Sequence, residues 1–162
     1  MEIPLTQNRV AIIDDADWPL VAAYKWYAQR EPNGRWYART NVWDSKTKTS
    51  SKLSMHRLLT EATGRETKVD HRSGDGLDNR RQNLRKCTNA ENIRNRPKDS
   101  VPTSSRFKGV CWVNRKRKWQ AGLVCDGVKH HLGIFAIEED AARAYNEAAT
   151  RFFGEFARLN EL

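Results

Sequence analysis

The segment from Val69 to Arg96 constrains the fold more than any other part of this chain. It opens with an Asp-His pair, continues through a glycine-rich polar turn at 73–76, and closes on a run that starts like a helix. Thr88 and Glu91 have the Thr-x-x-Glu spacing of a capping box, in which each side chain satisfies a backbone N–H of the other residue. We therefore predict strand, loop, strand and helix in this order.

Four polar residues fall at defined points of this pattern. Asp70 and His71 end the first predicted strand, Asn83 starts the second, and Asn92 lies on the first turns of the helix. The arrangement resembles the HNH endonuclease family, whose ββα-metal fold wraps one divalent cation between a hairpin and a helix. The resemblance rests on these residues in this order: Asp70, His71, Asn79, Asn83, Leu84, Thr88, Glu91 and Asn92.

The resemblance implies a role for each matched position. His71 is expected to be the general base, because His titrates near neutral pH and can deprotonate a water. Asn83 is the candidate that fixes the imidazole in one orientation and tautomer. Asp70 and Asn92 are the expected metal ligands. Asn92 stands where the familiar motif has a second His, and the HNN variants of phage homing nucleases also have Asn there. The oxygen donors of Asp70 and Asn92 suit Mg²⁺ or Mn²⁺ better than Zn²⁺.

Composition bounds the architecture and the partners. The 162 residues are 38% hydrophobic, with a mean hydropathy of −0.83, which favours small modules over one large core. The net charge of +9 favours a polyanion as partner over a merely soluble basic surface, and the HNH resemblance implies that this polyanion is double-stranded DNA. We find neither an apolar run of membrane length nor a signal peptide. The three cysteines form no Cys-x-x-Cys pair, so we expect no zinc and reduced, intracellular thiols.

The region before this segment contains a hairpin signal. Lys25–Ala28 and Arg35–Ala38 are near copies that flank an Asn-Gly turn. Asp17 is expected to cap a short helix. The polar run 44–52 is interpreted as a loop or exposed strand, whose three lysines contact either phosphates or only solvent. His56 is interpreted first as a packing or phosphate-contacting residue and only second as a metal ligand.

After Arg96 the composition changes to a Pro- and Ser-rich linker at 97–105. Three alternating segments then predict three antiparallel strands, and an apolar face from Ile137 to Phe152 predicts one amphipathic helix. This module resembles the plant ethylene-response-factor (Apetala-two) DNA-binding domain, which is also found attached to phage and bacterial HNH nucleases. The matching motifs include Phe107–Val110, Lys118–Leu123, Leu132–Phe135 and Asp140–Tyr145.

Strand alternation assigns the faces of this second module. Lys108, Lys129 and His131 are expected to face DNA, and Arg115 and Arg117 lie in the first hairpin loop. Trp112 is left open between DNA contact and packing. The residues expected to pack on the helix are Trp119, Ala121, Leu123 and Leu132. Cys111 and Val124 replace arginines that usually contact DNA in the plant family, so its site preference does not carry over.

We thus expect an α+β protein with a β-hairpin region (1–54), an HNH ββα-metal nuclease (55–96), a linker (97–105) and a sheet-plus-helix DNA-binding domain (106–162). The expected function is a metal-dependent DNA endonuclease of homing or mobile-element type. One active site per chain favours nicking by a monomer or weak dimer. The expected location is the cytoplasm of a phage or bacterial host cell, at the nucleoid. Two alternatives remain: a catalytically inactive DNA-binding regulator, and a non-specific defence or toxin nuclease.

Overall fold

The computed structural model describes residues 1–64, 66–98 and 103–162. Within them the chain is an α+β protein of short antiparallel sheets and few helices, which confirms the expected class. It divides into two compact units, Met1–Asn92 and Ile93–Leu162. The predicted linker includes residues 99–102, which lie outside the described residues. No helix in the described ranges is long and apolar enough to cross a membrane.

Within its described residues the first unit contains three small sheets and three short α-helices, the last of which ends two residues past the unit boundary at Asn92. In chain order its elements are β1 (Glu2–Pro4), β2 (Val10–Ile12), α1 (Trp18–Val21), β3 (Tyr27–Arg30), β4 (Trp36–Asp44), β5 (Thr49–Ser54), α2 (Met55–Leu59), β6 (Lys68–His71), β7 (Leu84–Cys87) and α3 (Asn89–Arg94). The antiparallel pairings are β1 with β2, β3 with β4, β4 with β5, and β6 with β7.

The predicted β3–β4 hairpin is confirmed. Ala28 pairs with Ala38, and Gly34 takes a left-handed φ of 81° in the turn, a backbone conformation that glycine adopts without steric cost. The polar run 44–52 is part of a second hairpin, because β4 extends to Asp44 and β5 begins at Thr49. Of the two readings, loop or exposed strand, the structure shows mainly an exposed strand closed by a turn.

One hydrophobic core holds the first unit together. It combines side chains from both sides of the boundary predicted at residue 54: Ile3, Ala11, Ile13, Val21, Trp26, Ala38, Met55, Leu59 and Leu84. Burial of such apolar side chains stabilises a fold by about 1.5–3 kcal/mol each. The first 54 residues therefore share their core with the β6–β7 hairpin and are needed to build it.

The second unit has the predicted sheet and helix. The strands β8 (Val110–Val113), β9 (Lys118–Cys125) and β10 (Val128–Phe135) form an antiparallel sheet in the order β10-β9-β8, and α4 (Glu138–Phe153) follows. The four residues expected to pack on the helix lie in its core clusters. Gly109 makes this packing possible, because a Cβ there would lie 2.1 Å from the ring of Tyr145.

Candidate active site and nucleic-acid face

The strand pair β6–β7 and the following helix carry the predicted catalytic segment. In this pair Asp70 stands opposite Arg85, and His71 opposite Leu84. The capping box at the start of α3 is confirmed: the backbone N–H of Thr88 donates to Glu91 Oε2 at 2.7 Å, and that of Glu91 donates to Thr88 Oγ1 at 3.3 Å. Hairpin and helix are thus joined by a turn whose geometry is set locally.

His71 lies inside the unit, with 4% of its surface exposed. Its Nε2 is 3.4 Å from Oδ1 of Asn79, which is itself fully buried. The Asn79 amide is oriented by its other end, because Nδ2 donates to the Leu77 carbonyl at 3.0 Å. The oxygen therefore faces the ring, and this contact favours the tautomer with the proton on Nε2 and Nδ1 as the basic nitrogen.

The predicted orienting residue, Asn83, is placed differently. Its Oδ1 accepts the backbone N–H of Ser73 at 2.9 Å, and its Nδ2 donates to the Asp78 carbonyl at 2.7 Å. Asn83 thus closes the loop that follows β6, and Asn79 makes the contact with the His71 ring that we expected of Asn83. The reason is that loop 72–80 folds back over the strand end, which brings Asn79 closer to the imidazole than its place in the sequence indicates.

Burial sets the protonation state of His71. Removal of the ring from water lowers the pKa of His71 below the usual 6.5. The hydrogen bond that the ring makes to Asn79 and the nearby carboxylates raise this pKa, but the effect of burial is larger. The imidazole is therefore neutral at pH 7, the form that a general base requires.

Two further rings pack beside His71. The ring centroid of His56 lies 5.0 Å away, with the planes nearly perpendicular, and that of Tyr37 lies 5.8 Å away. Burial, followed by the proximity of His71, lowers the pKa of His56 to about 3. Loop 72–80 covers these rings at Gly76, where a Cβ would lie 2.6 Å from the Tyr37 ring. These neighbours fit the packing role expected for His56.

The N-terminal elements anchor the loop that holds Asn79. The Asn79 backbone N–H donates to the Ile12 carbonyl at 2.7 Å, so β2 holds the residue that contacts His71. Arg81 reaches buried Asp17 with nitrogen–oxygen distances of 2.6 and 2.9 Å. Asp17 precedes α1 as predicted, but its side chain makes this ion pair and no cap hydrogen bond. The first 54 residues therefore position the site.

Asp70, a predicted metal ligand, forms a buried ion pair. Arg85 donates to Asp70 Oδ2 from Nη2 at 2.7 Å and from Nε at 3.0 Å, and the two side chains are 7% and 3% exposed. A carboxylate has about four acceptor positions, so a cation can share it with the guanidinium.

Asn92, the second predicted ligand, has no hydrogen-bond partner for its side chain within the described part of the chain. In the same ranges no three His, Cys, Asp or Glu side chains gather at one point. The two predicted ligands would supply one carboxylate oxygen and one amide oxygen, donor types that suit Mg²⁺.

The second unit presents part of the predicted DNA face. Lys129 and His131 are exposed and pair with Val124 and Gly122, on the side of the sheet opposite the residues that pack on α4. Arg115 and Arg117 are exposed in the β8–β9 turn. These four exposed polar side chains, three of them cationic, are available to a polyanion.

Lys108, expected to face DNA, and Trp112, left open between DNA contact and packing, both contact other residues of the second unit. The Lys108 ammonium donates to the carbonyls of Arg94 and Arg96 at 2.6 Å each, because carbonyls at a helix end lack backbone partners. Trp112 pairs with Trp119, whose side chain lies on the α4 side, and the two rings meet edge to face at 5.0 Å. The structure thus favours packing over DNA contact for Trp112.

Comparison with known proteins places the chain in a family. No protein-family model matches it. An uncharacterized HNH endonuclease of Acanthamoeba polyphaga mimivirus is 30% identical over 150 residues, which are 90% of this chain and 71% of the viral protein. The chain belongs to the HNH endonuclease family. This HNH protein also matches two plant proteins, an APETALA2-like ethylene-responsive transcription factor of Arabidopsis thaliana and the APETALA2-like protein 2 of Oryza sativa subsp. japonica. Each is 37% identical over 57 residues. The match covers 35% of this chain and 12–13% of the plant proteins.

Sequence reasoning missed two features of this HNH protein. The pairing of Asp70 with Arg85 depends on strand register, and the Asp-His motif gives no sign of a basic partner fifteen positions later. The contact between Asn79 and the ring was not assigned, although Asn79 is among the motif residues. Its place between Gly76 and Asn83, in a loop that must fold back over His71, was the available signal.

Proposed function

We propose that this protein is a metal-dependent DNA endonuclease in which His71 is the general base. The observation that carries the proposal is the state of His71, whose ring is buried, kept neutral at pH 7 by that burial, and contacted at Nε2 by Asn79. A neutral imidazole held in this tautomer can take a proton from an attacking water at Nδ1. Membership of the HNH endonuclease family supports phosphodiester hydrolysis as the reaction.

We further propose that β6, β7 and α3 are the ββα-metal element, with Asp70 and Asn92 holding Mg²⁺ or Mn²⁺. When bound, the cation would neutralise charge on the scissile phosphate and on the leaving oxygen. Arg85 orients the Asp70 carboxylate through its two hydrogen bonds and balances its charge inside the unit. Asn83 closes the loop that carries Asn79, and so acts on the base indirectly.

The second unit is proposed to bind double-stranded DNA and to choose the cleavage site. The exposed side chains of Arg115, Arg117, Lys129 and His131 support this role, as does the partial match to the plant transcription factors. Basic side chains on a sheet face can contact phosphates and reach base edges in the major groove. Such a division of labour is typical of a homing or mobile-element nuclease, in contrast to a non-specific one.

Supercoiled-plasmid cleavage tests the proposal. The wild type should convert the plasmid to open-circle or linear DNA with Mg²⁺ or Mn²⁺ and not with EDTA. His71→Ala should abolish conversion and retain gel-shift binding, and His130→Ala, which alters a histidine packed on Phe152 in the second unit, should still cleave. Cleavage by His71→Ala at the wild-type rate would refute the assignment.

One observation favours a second candidate, a DNA-binding regulator without catalysis. The Arg85 guanidinium already balances the charge of Asp70 inside the unit, so the carboxylate does not depend on a metal for stability. Binding to DNA without metal-dependent cleavage of any tested sequence supports this reading. Arg115→Ala with Arg117→Ala separates the third possibility, since a non-specific nuclease should keep its cleavage pattern in that variant.

A further inference from the structure

The β4–β5 hairpin continues past the core of the first unit. Thr40 is buried where it pairs with Leu53, but every residue beyond that pair is exposed or half-buried, from Asn41 opposite Lys52 to Asp44 opposite Thr49. We call residues 41–52 the arm. Its four residue pairs extend about 14 Å at roughly 3.4 Å per residue. The packing of the unit does not account for an arm of this length.

Trp43 is the most exposed large apolar side chain of the first unit. It is 64% exposed, although burial of an aromatic ring is ordinarily favourable. Residues opposite each other in an antiparallel pair share a face, and residues two apart along a strand do so as well. Trp43, opposite Ser50, therefore lies on the same face as Asn41 and Lys52. This face combines a flat ring, an amide and an ammonium group.

The turn of the arm adds two more cations. Lys46 and Lys48 are exposed, and the nearby acid, Asp44, folds back to accept the backbone N–H groups of Lys46 at 2.9 Å and Thr47 at 3.4 Å. Lys48 has a left-handed φ of 52°, which is strained for a residue with a Cβ and ordinarily falls to Gly or Asn. Backbone preference therefore does not explain the choice of lysine at this position.

The β8–β9 turn of the second unit has the same features. Its residues 114–117 also connect two antiparallel strands over four positions, and Arg117 at the fourth position has a left-handed φ of 48°. That turn carries Arg115 and Arg117, which we propose to contact DNA. The chain therefore contains two four-residue basic turns of like geometry, one in each unit.

We propose that the arm is a second DNA-contacting element, located in the nuclease unit. Lys46, Lys48 and Lys52 contact backbone phosphates, and the Trp43 ring packs against the exposed edges of the duplex. A two-stranded ribbon is narrow enough to enter a DNA groove, and an exposed aromatic ring gains free energy when such a groove covers it. This inference rests on the proposed function, because it takes DNA as the partner.

Salt-dependent binding of the full chain to a fluorescent DNA duplex tests the arm. Lys48→Gly should reduce the slope of log affinity against log salt by about 0.9, the value for one lost phosphate contact. Its thermal midpoint should equal or exceed that of the wild type, because glycine adopts the left-handed φ freely. Trp43→Ala should weaken binding about tenfold or more, as expected when the burial of an exposed apolar side chain is lost.

The matched controls are Lys25→Ala and Trp18→Ala, which change an exposed lysine and a 45% exposed tryptophan near α1. Both should bind DNA as the wild type does. If the wild type binds and cleaves DNA while Lys48→Gly and Trp43→Ala match the controls, the arm has no such role and the proposed function stands. If the wild type neither binds nor cleaves DNA, both inferences are refuted.

Discussion

The buried pair of Asp70 and Arg85 predicts a large loss of stability when one partner is removed. Arg85→Met is the informative change, because methionine keeps much of the apolar stem and removes the charge. It takes away both hydrogen bonds to Asp70 Oδ2 and leaves a carboxylate that is only 3% exposed. That carboxylate then has little access to water and has lost its guanidinium.

The expected cost follows from this geometry. Breaking a buried ion pair from one side costs about 3–5 kcal/mol, because the remaining charge is desolvated and unpaired. Replacement of both partners, as in Asp70→Leu with Arg85→Met, should recover most of the loss. The control is Arg80→Met, whose pair with Asp78 has the guanidinium 42% exposed. The Asp78 side chain is 12% exposed, so this pair is partly open to solvent and its loss should cost less than that of the buried pair.

Urea unfolding measures the difference, since guanidinium chloride would screen the charges. With a slope of about 1–3 kcal/mol per molar urea, a loss of about 3 kcal/mol moves the midpoint by about 1–3 M. Because the two units can unfold separately, native-state hydrogen exchange of the β6 and β7 amides should report the first unit alone. A loss below about 1 kcal/mol for Arg85→Met would refute the argument that Asp70 depends on this partner.

Three further outcomes are expected. Asn79→Ala should slow single-turnover cleavage by about ten- to a hundredfold. Because the hydrogen bond to Asn79 raises the pKa of His71, its loss should move the acid limb of the pH–rate profile to lower pH. An acid limb at the wild-type position would contradict the contact. The free energy of unfolding should fall as the pH drops from about 6.5 toward 3, because His56 takes up a proton in the unfolded state, whereas its pKa in the folded state is about 3. Urea titrations should show a shallower fall for His56→Leu than for the wild type. The fall that remains comes from His71, whose pKa is also lowered. Mg²⁺ should raise the thermal midpoint of the wild type and not that of Asn92→Ala, and equal increments in calorimetry would argue against Asn92 as a ligand.

Local signals predicted much of the fold. The Asn-Gly turn, the Thr88–Glu91 capping box and the alternation of the second module each depend on residues a few positions apart, and each is present in the structure. Short-range hydrogen bonds and steric preferences decide such features, so the sequence contains them directly. The predicted set of catalytic and metal-binding residues came instead from the resemblance to the HNH endonuclease family, and it stays a prediction.

Side-chain partners across elements could not be predicted in this way. Strand alternation placed Lys108 toward DNA, but in the structure its ammonium satisfies the carbonyls of Arg94 and Arg96. Trp112 was open between two readings until its pairing with Trp119 placed it on the helix side. In each case the contact that the side chain makes depends on which groups the fold brings near it, and alternation along one strand does not give that information.

By itself, therefore, the sequence determined the class of the fold, the hairpin-and-helix segment with Asp70 and His71, and the basic character of both units. Only the tertiary structure decided that Arg85 faces Asp70, that Asn79 contacts the His71 ring, and that the first 54 residues share a core with the β6–β7 hairpin. The physical reason is that burial and strand register join residues far apart in the chain. The strength and sign of their electrostatic effects follow from that burial and not from the residue types alone.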